Sequence, residues 1–257
     1  MLPALSRIIA TLCLVALATD VTPTLIVPDF PDLTIKTRVK PIPGPWGERT
    51  TWYFKGARLR EERQWDPRPN QPPPKLLVNI TQCDRKTSYF IDEKELEYEK
   101  WSLSEMAAKS RDFLNGEPGD GEVTVSYDSV DTGERRKIGS YEARHLKTTV
   151  TFDPSEETGI RPGKIELDGW YIDLPGRDMC EDTAGMPGWQ METDPNHKKP
   201  RIIERWRGTR RGFVIEETSK ATPGVRSEGR VEFLGIDEEP IDRSLFEVPK
   251  DYTQVER

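Results

Sequence analysis

"ITQCDRKTSYFIDEKELEYEKW", residues 80–101, decides the fold class. It divides into short runs of period two, broken at Asp84-Arg85-Lys86 and again at Asp92-Glu93-Lys94. Such alternation gives a strand one apolar and one polar face, and tight polar turns join strands of this kind into an antiparallel meander. Outward from this stretch the same period recurs. "LTIKTRV" (33–39) puts Leu33, Ile35 and Val39 on one side, and "TTWYFKGARLREERQW" (50–65) alternates around Gly56 and continues as a second strand. Later runs are "EVTVSYDSV" (122–130), "RRKIGSYEARHLKTTVTF" (135–152), "GKIELDGWYID" (163–173), "PRIIERWRG" (200–208), "GFVIEETSKA" (212–221) and "RVEFLGID" (230–237), with Asp131-Thr132-Gly133 read as a hairpin turn. About nine to eleven strands follow from this count, each with one wet face.

One helix interrupts them. Ser102 and Glu105 fit a capping box, and Leu103, Met106, Ala107, Ser110 and Leu114 recur at helical spacing, with Asn115-Gly116 as the stop. That stripe requires an apolar surface, and the sheet is the large one available.

The N-terminus sets the compartment. Arg7 precedes an uncharged apolar run of about eleven residues, Ile8 to Ala18, within the roughly 7–15 of a signal sequence and too short to span a bilayer. Ala16 and Ala18 supply the small residues of a cleavage site; Leu12 before Cys13 does not suit lipid attachment. Residues 1–18 are therefore read as a signal peptide and 19–257 as a single domain, periplasmic or secreted, with no transmembrane segment in the mature chain. Cleavage leaves Cys83 and Cys180, and an exported chain with two cysteines points to a disulfide between them. Such a bridge closes a loop of about 100 residues, worth up to ~4–5 kcal/mol in the chain-entropy model. Cys180 sits in a long aperiodic stretch, residues 176–200, which the bridge would tether.

Composition excludes several functions. A net charge of −7, with acid and base interleaved along the chain, gives no basic footprint for nucleic acid. The two histidines, His145 and His197, are isolated and no Cys-x-x-Cys is present, so no metal site is expected. There is no nucleophile elbow, no zinc-protease helix and no phosphate-binding glycine loop, so no catalytic residues and no cofactor are assigned and a non-enzyme is expected. His145 reads as structural.

Several segments carry a family resemblance: "YFKGARLREE" (53–62), "ITQCDRKTSYFID" (80–92), "IGSYEARHLKT" (138–148), "DGWYIDLPG" (168–176) and "SLFEVPKDYTQV" (244–255). Together they resemble a family of exported bacterial proteins of unknown function, related to the lipoprotein-localisation-factor (LolA/LolB-like) superfamily. The resemblance implies a mainly β (α+β) fold. Its expected form is a curled antiparallel half-barrel with one main helix on its concave face, and a groove for a lipid or lipoprotein acyl chains. The chain departs from that family by having 32% charged residues and a single clear helix, both unfavourable to a deep acyl pocket.

For such a ligand the candidate residues are Trp52 and Phe54, on one face of their strand, and Trp170, with Ile172 on one face of another. Ordinary core packing is the competing reading of these. Arg58 and Arg60 are candidates to clamp an anionic headgroup; the alternative places them in solvent, paired with Glu61, Glu62 or cross-strand acids at little net energy. A second functional class is a non-enzymatic envelope interaction protein that uses a sheet edge or the 176–200 loop.

Overall fold

The computed structural model describes residues 31–41, 47–114, 121–174, 200–222 and 228–256. The signal sequence, Cys180, Asn115-Gly116 and residues 176–199 of the long loop lie outside the described residues. In chain order the elements are β1 (Leu33–Pro41), β2 (Glu48–Lys55), β3 (Arg58–Trp65), β4 (Leu77–Gln82), β5 (Thr87–Asp92), β6 (Glu97–Ser102) and α1 (Leu103–Leu114). After the helix come β7 (Glu122–Ile138), β8 (Tyr141–Pro154), β9 (Gly163–Ile172), β10 (Arg201–Gly208), β11 (Phe213–Ala221), β12 (Gly229–Asp237) and β13 (Thr253–Gln254).

All described strands belong to one open sheet, ordered β10-β7-β8-β9-β11-β12-β1-β2-β3-β4-β5-β6-β13. Its thirteen described strands exceed the nine to eleven expected; pairing alone defines one of them, the two-residue β13. The interior is antiparallel, as the meander predicts, but both edges are parallel: β10 on β7 and β13 on β6. Parallel neighbours need a long connection. The chain between β7 and β10 runs through β8 and β9, and that between β6 and β13 through α1 and β7–β12, so both connections are long.

The Asp131-Thr132-Gly133 turn is a second correction. β7 runs straight through it as an irregularity between Asp131 and Arg135, and the hairpin closes at Gly139-Ser140, with Ile138 opposite Tyr141. Gly139 takes a φ of +60°, which a glycine adopts without the steric cost borne by other residues. Within that irregularity Asp131 Oδ1 accepts from the Gly133 N–H at 2.9 Å.

The sheet does not lie flat. β2 and β11 are three strand spacings apart, about 14 Å in a flat sheet. Yet the Trp52 ring of β2 meets Phe213 of β11 edge-on at 5.4 Å, and Phe54 meets it at 5.8 Å. The β1–β2 part of the sheet therefore folds over the β8–β9–β11 part, and Leu33, Ile35, Ala143, Ile172, Phe213 and Ile215 form a shared core. A second cluster gathers Val123, Val125, Val150, Phe152 and Ile165 on β7–β9, and a third packs Val78, Ile80 and Ile91 under Phe246.

The capping box forms as expected. Glu105 N–H donates to Ser102 Oγ at 3.1 Å and Ser102 N–H to Glu105 Oε2 at 2.8 Å. Leu103 is buried, and α1 packs against β6, the strand it leaves. None of the three clusters contains a described helix side chain, so the described contacts do not place the helix across a concave face. The side chains of Ser110 and Leu114 lie outside the described residues.

Candidate functional site

The register of β8, β9 and β11 arranges one sheet face in rows. The first, Ala143, Ile172 and Phe213, is buried and apolar. The second holds His145, Trp170 and Glu216; the third, Lys147, Asp168 and Thr218; the fourth, Thr149, Glu166 and Lys220. The face therefore passes from apolar to charged within four rows, because period two sends every second residue to the same side.

The second row is tightly built. His145 stacks on Trp170 with ring centroids 5.0 Å apart. Its Nε2 lies 2.7 Å from Asp168 Oδ1 and its Nδ1 3.1 Å from Thr132 Oγ1, so both ring nitrogens are engaged. Arg136 reaches across from β7, its guanidinium carbon 4.6 Å from the Trp170 ring, and donates through Nη1 to Glu216 at 3.0 Å. Its Nε and Nη2 are shielded and have no hydrogen-bond partner among the described residues. Gly169 makes the close approach of β11 possible, since a Cβ there would sit 2.5 Å from the Glu216 carbonyl oxygen. Beyond this row a cavity of about 520 Å³ opens among Lys147, Thr149, Glu166, Asp168, Thr218 and Lys220.

Of the five residues proposed as a ligand site, the fold brings three together. Trp52, Phe54 and Trp170 are half-buried and all pack on the cluster around Phe213. Arg58 and Arg60 are elsewhere. Gly56-Ala57 is a two-residue turn that sets Phe54 opposite Leu59, and hence Tyr53 opposite Arg60 and Lys55 opposite Arg58, on the other face from Trp52 and Phe54. Nor do these arginines face solvent: they are 7% and 8% exposed. Arg58 pairs with Glu247 and with Asp84 (3.0 Å). Arg60 pairs with Glu62 (2.7 Å) and Glu93 (3.2 Å) and donates to the Leu245 carbonyl at 3.3 Å. Together they clamp the C-terminal segment around Phe246 over β3 and β4. Burial alone would lower the Arg58 pKa, but hydrogen bonds to Glu247 and Asp84 outweigh it and hold the pKa above its ordinary value.

Arg136 and the Tyr171–Glu217–Arg211 group were missed from sequence. Burial, with Glu217 beside it, pushes the Tyr171 hydroxyl far up, and that hydroxyl donates to Glu217, which Arg211 also contacts at 3.1 Å. The group lies on the opposite face from Trp170, since adjacent residues on β9 point opposite ways. The alternation of "GWYI" was the available signal.

Cys83 opens a 3₁₀ turn, its N–H donating to the Ala57 carbonyl at 2.9 Å. No group of three or more His, Cys, Asp or Glu side chains suited to a metal ion occurs among the described residues. No described helix is long and apolar enough to cross a membrane.

No family model and no curated protein matches the chain. Among solved structures, it is similar to a LolA superfamily protein from Nitrosomonas europaea at 7% identity and a TM-score of 0.31, over 86% of this chain and 91% of that one. A TM-score that low lends no weight to a shared family or function.

Proposed function

We propose that this is an exported, non-enzymatic protein of the periplasm or extracellular space that binds an amphiphile, a lipid or lipoprotein acyl chain being the ligand class. The apolar part would lie against Trp52, Phe54 and Trp170, and the polar head over the charged rows of β8, β9 and β11. Asp168 is the observation that carries the reading. It bonds His145, which stacks on Trp170, and it also lines the charged cavity, so apolar floor and polar rim are continuous at one residue. Amphiphile sites combine these two surfaces. The Cys83–Cys180 disulfide is part of the same proposal, as the tether of the long loop in an oxidising compartment.

Native mass spectrometry of the exported protein tests the reading, with an amphiphilic adduct expected. Trp170→Ala should then weaken binding of a fluorescent fatty acid in a protein that is still folded. Its stability loss should stay below the roughly 3–5 kcal/mol of a fully buried tryptophan, because the ring is half-buried. If neither the wild type nor folded variants bind any acyl probe, the proposal is wrong.

A further inference from the structure

We propose that the outer edge of β10 is a docking strand, which takes an extended acidic segment of a partner protein as the fourteenth strand of the sheet. β10 ends the sheet order, with β7 its single described neighbour. The Arg201 N–H donates to the Gly121 carbonyl at 3.0 Å and the Thr209 N–H to the Ser129 carbonyl at 3.2 Å. Odd-numbered residues thus turn their backbone groups towards β7. Ile202, Glu204, Trp206 and Gly208 turn theirs outward, where no described strand follows. Such an edge is a template for strand addition.

The two ends of the sheet differ. β13 is two residues long, which is itself a way of blunting an edge, whereas β10 runs for eight. The chemistry of β10 also selects its partner. Residues 201–211 contain five arginines and one acid, Glu204, in a chain of net charge −7. A second copy of β10 would set arginine against arginine, which disfavours self-pairing, while an acidic strand meets opposite charge. Arg201, Arg205 and Arg207 share one side of the strand. On the other side Trp206 is 44% exposed yet already ordered, stacked on Tyr127 with centroids 3.8 Å apart and planes 4° from parallel. Glu204 beside it accepts from the Tyr127 hydroxyl at 3.2 Å. A pre-ordered, exposed indole is a suitable anchor for an apolar side chain. The fitting partner therefore alternates acid and apolar residues at period two.

The test is fluorescence polarisation of the full chain with a labelled octapeptide of alternating glutamate and valine. The controls are a lysine–valine octapeptide, a backbone N-methylated glutamate–valine octapeptide and a single-stranded oligothymidine. The glutamate peptide should bind, and more weakly as salt is raised. Arg205→Glu with Arg207→Glu should weaken it by roughly tenfold and favour the lysine peptide instead. Glu204→Pro removes an outward N–H and should abolish binding in a protein that still folds, though its melting temperature falls with the loss of the Tyr127 hydrogen bond; should that variant not fold, the N-methylated peptide decides the same point. Equal binding of the lysine or the N-methylated peptide overturns the proposal, and so does preferential binding of the oligothymidine. Trp170→Ala should leave peptide binding unchanged, which keeps this result independent of the amphiphile reading.

Discussion

Asp66→Asn should destabilise the protein at neutral pH and hardly at all in acid. Asp66 is 4% exposed and follows β3. Its carboxylate accepts from Arg38 Nε at 3.0 Å and from Arg38 Nη2, from the Gly47 N–H at 2.8 Å and from Arg49 Nε at 3.1 Å, joining β1, β2 and β3. Burial alone would raise the pKa of this group. The Arg38 hydrogen bonds, the Gly47 amide and the positive charge of both arginines outweigh burial and hold it below the ordinary carboxylate value. Hydrogen bonds to a charged group contribute roughly 1.5–3 kcal/mol. Arg49 is 60% exposed and adds little, and asparagine keeps one acceptor, so the loss at pH 7 should be about 2–3 kcal/mol.

The sign with pH follows from the lowered pKa. Stability due to the carboxylate is complete above the unfolded value near ~3.9 and disappears as pH falls through the lower folded value. Asparagine does not titrate, so wild type and variant should converge in acid. Urea unfolding followed by tryptophan fluorescence at pH 7, 5 and 3 measures this. A difference as large at pH 3 as at pH 7, or one below about 0.5 kcal/mol at pH 7, a size typical of surface substitutions, would refute the reasoning.

Arg58→Gln should cost about 1–2 kcal/mol, less than a fully buried pair, because its partners Asp84 and Glu247 are 40% and 41% exposed. The same change should speed proteolysis of the C-terminal segment ahead of global unfolding, and an unchanged cleavage rate would show that the clamp is not what holds it. Leu103→Ala should cost about 2–4 kcal/mol and Met106→Ala distinctly less, since Leu103 is buried and Met106 half-buried; the reverse order in denaturant melts would mean that the helix stripe packs more deeply than its described contacts. A maleimide should fail to label unfolded, unreduced protein at Cys83 and Cys180, and two labels per chain would disprove the bridge.

Local physics made the strands and the helix cap legible in the sequence. Period-two alternation needs only the pleat of a strand, and the Ser102–Glu105 cap is closed by residues three apart, so "ITQCDRKTSYFID" and "WSLSE" carried their own structure. Asp131-Thr132-Gly133 was not legible in this way. The same three residues serve as a hairpin turn or as a mid-strand irregularity, and what decided was cross-strand registry continuing to Ile138 and Tyr141. Arg58 and Arg60 show the same limit. Alternation placed them together on one face, but burial came from Glu247, Leu245 and Phe246, some 185 residues away, folding over that face. Trp52, Phe54 and Trp170 met because the sheet folds over itself, a property of accumulated twist that no single strand encodes. Sequence alone thus determined which residues share a face wherever the period of two runs unbroken; tertiary structure decided where that period is interrupted and which faces meet, because pairing and burial depend on what the rest of the chain brings to them.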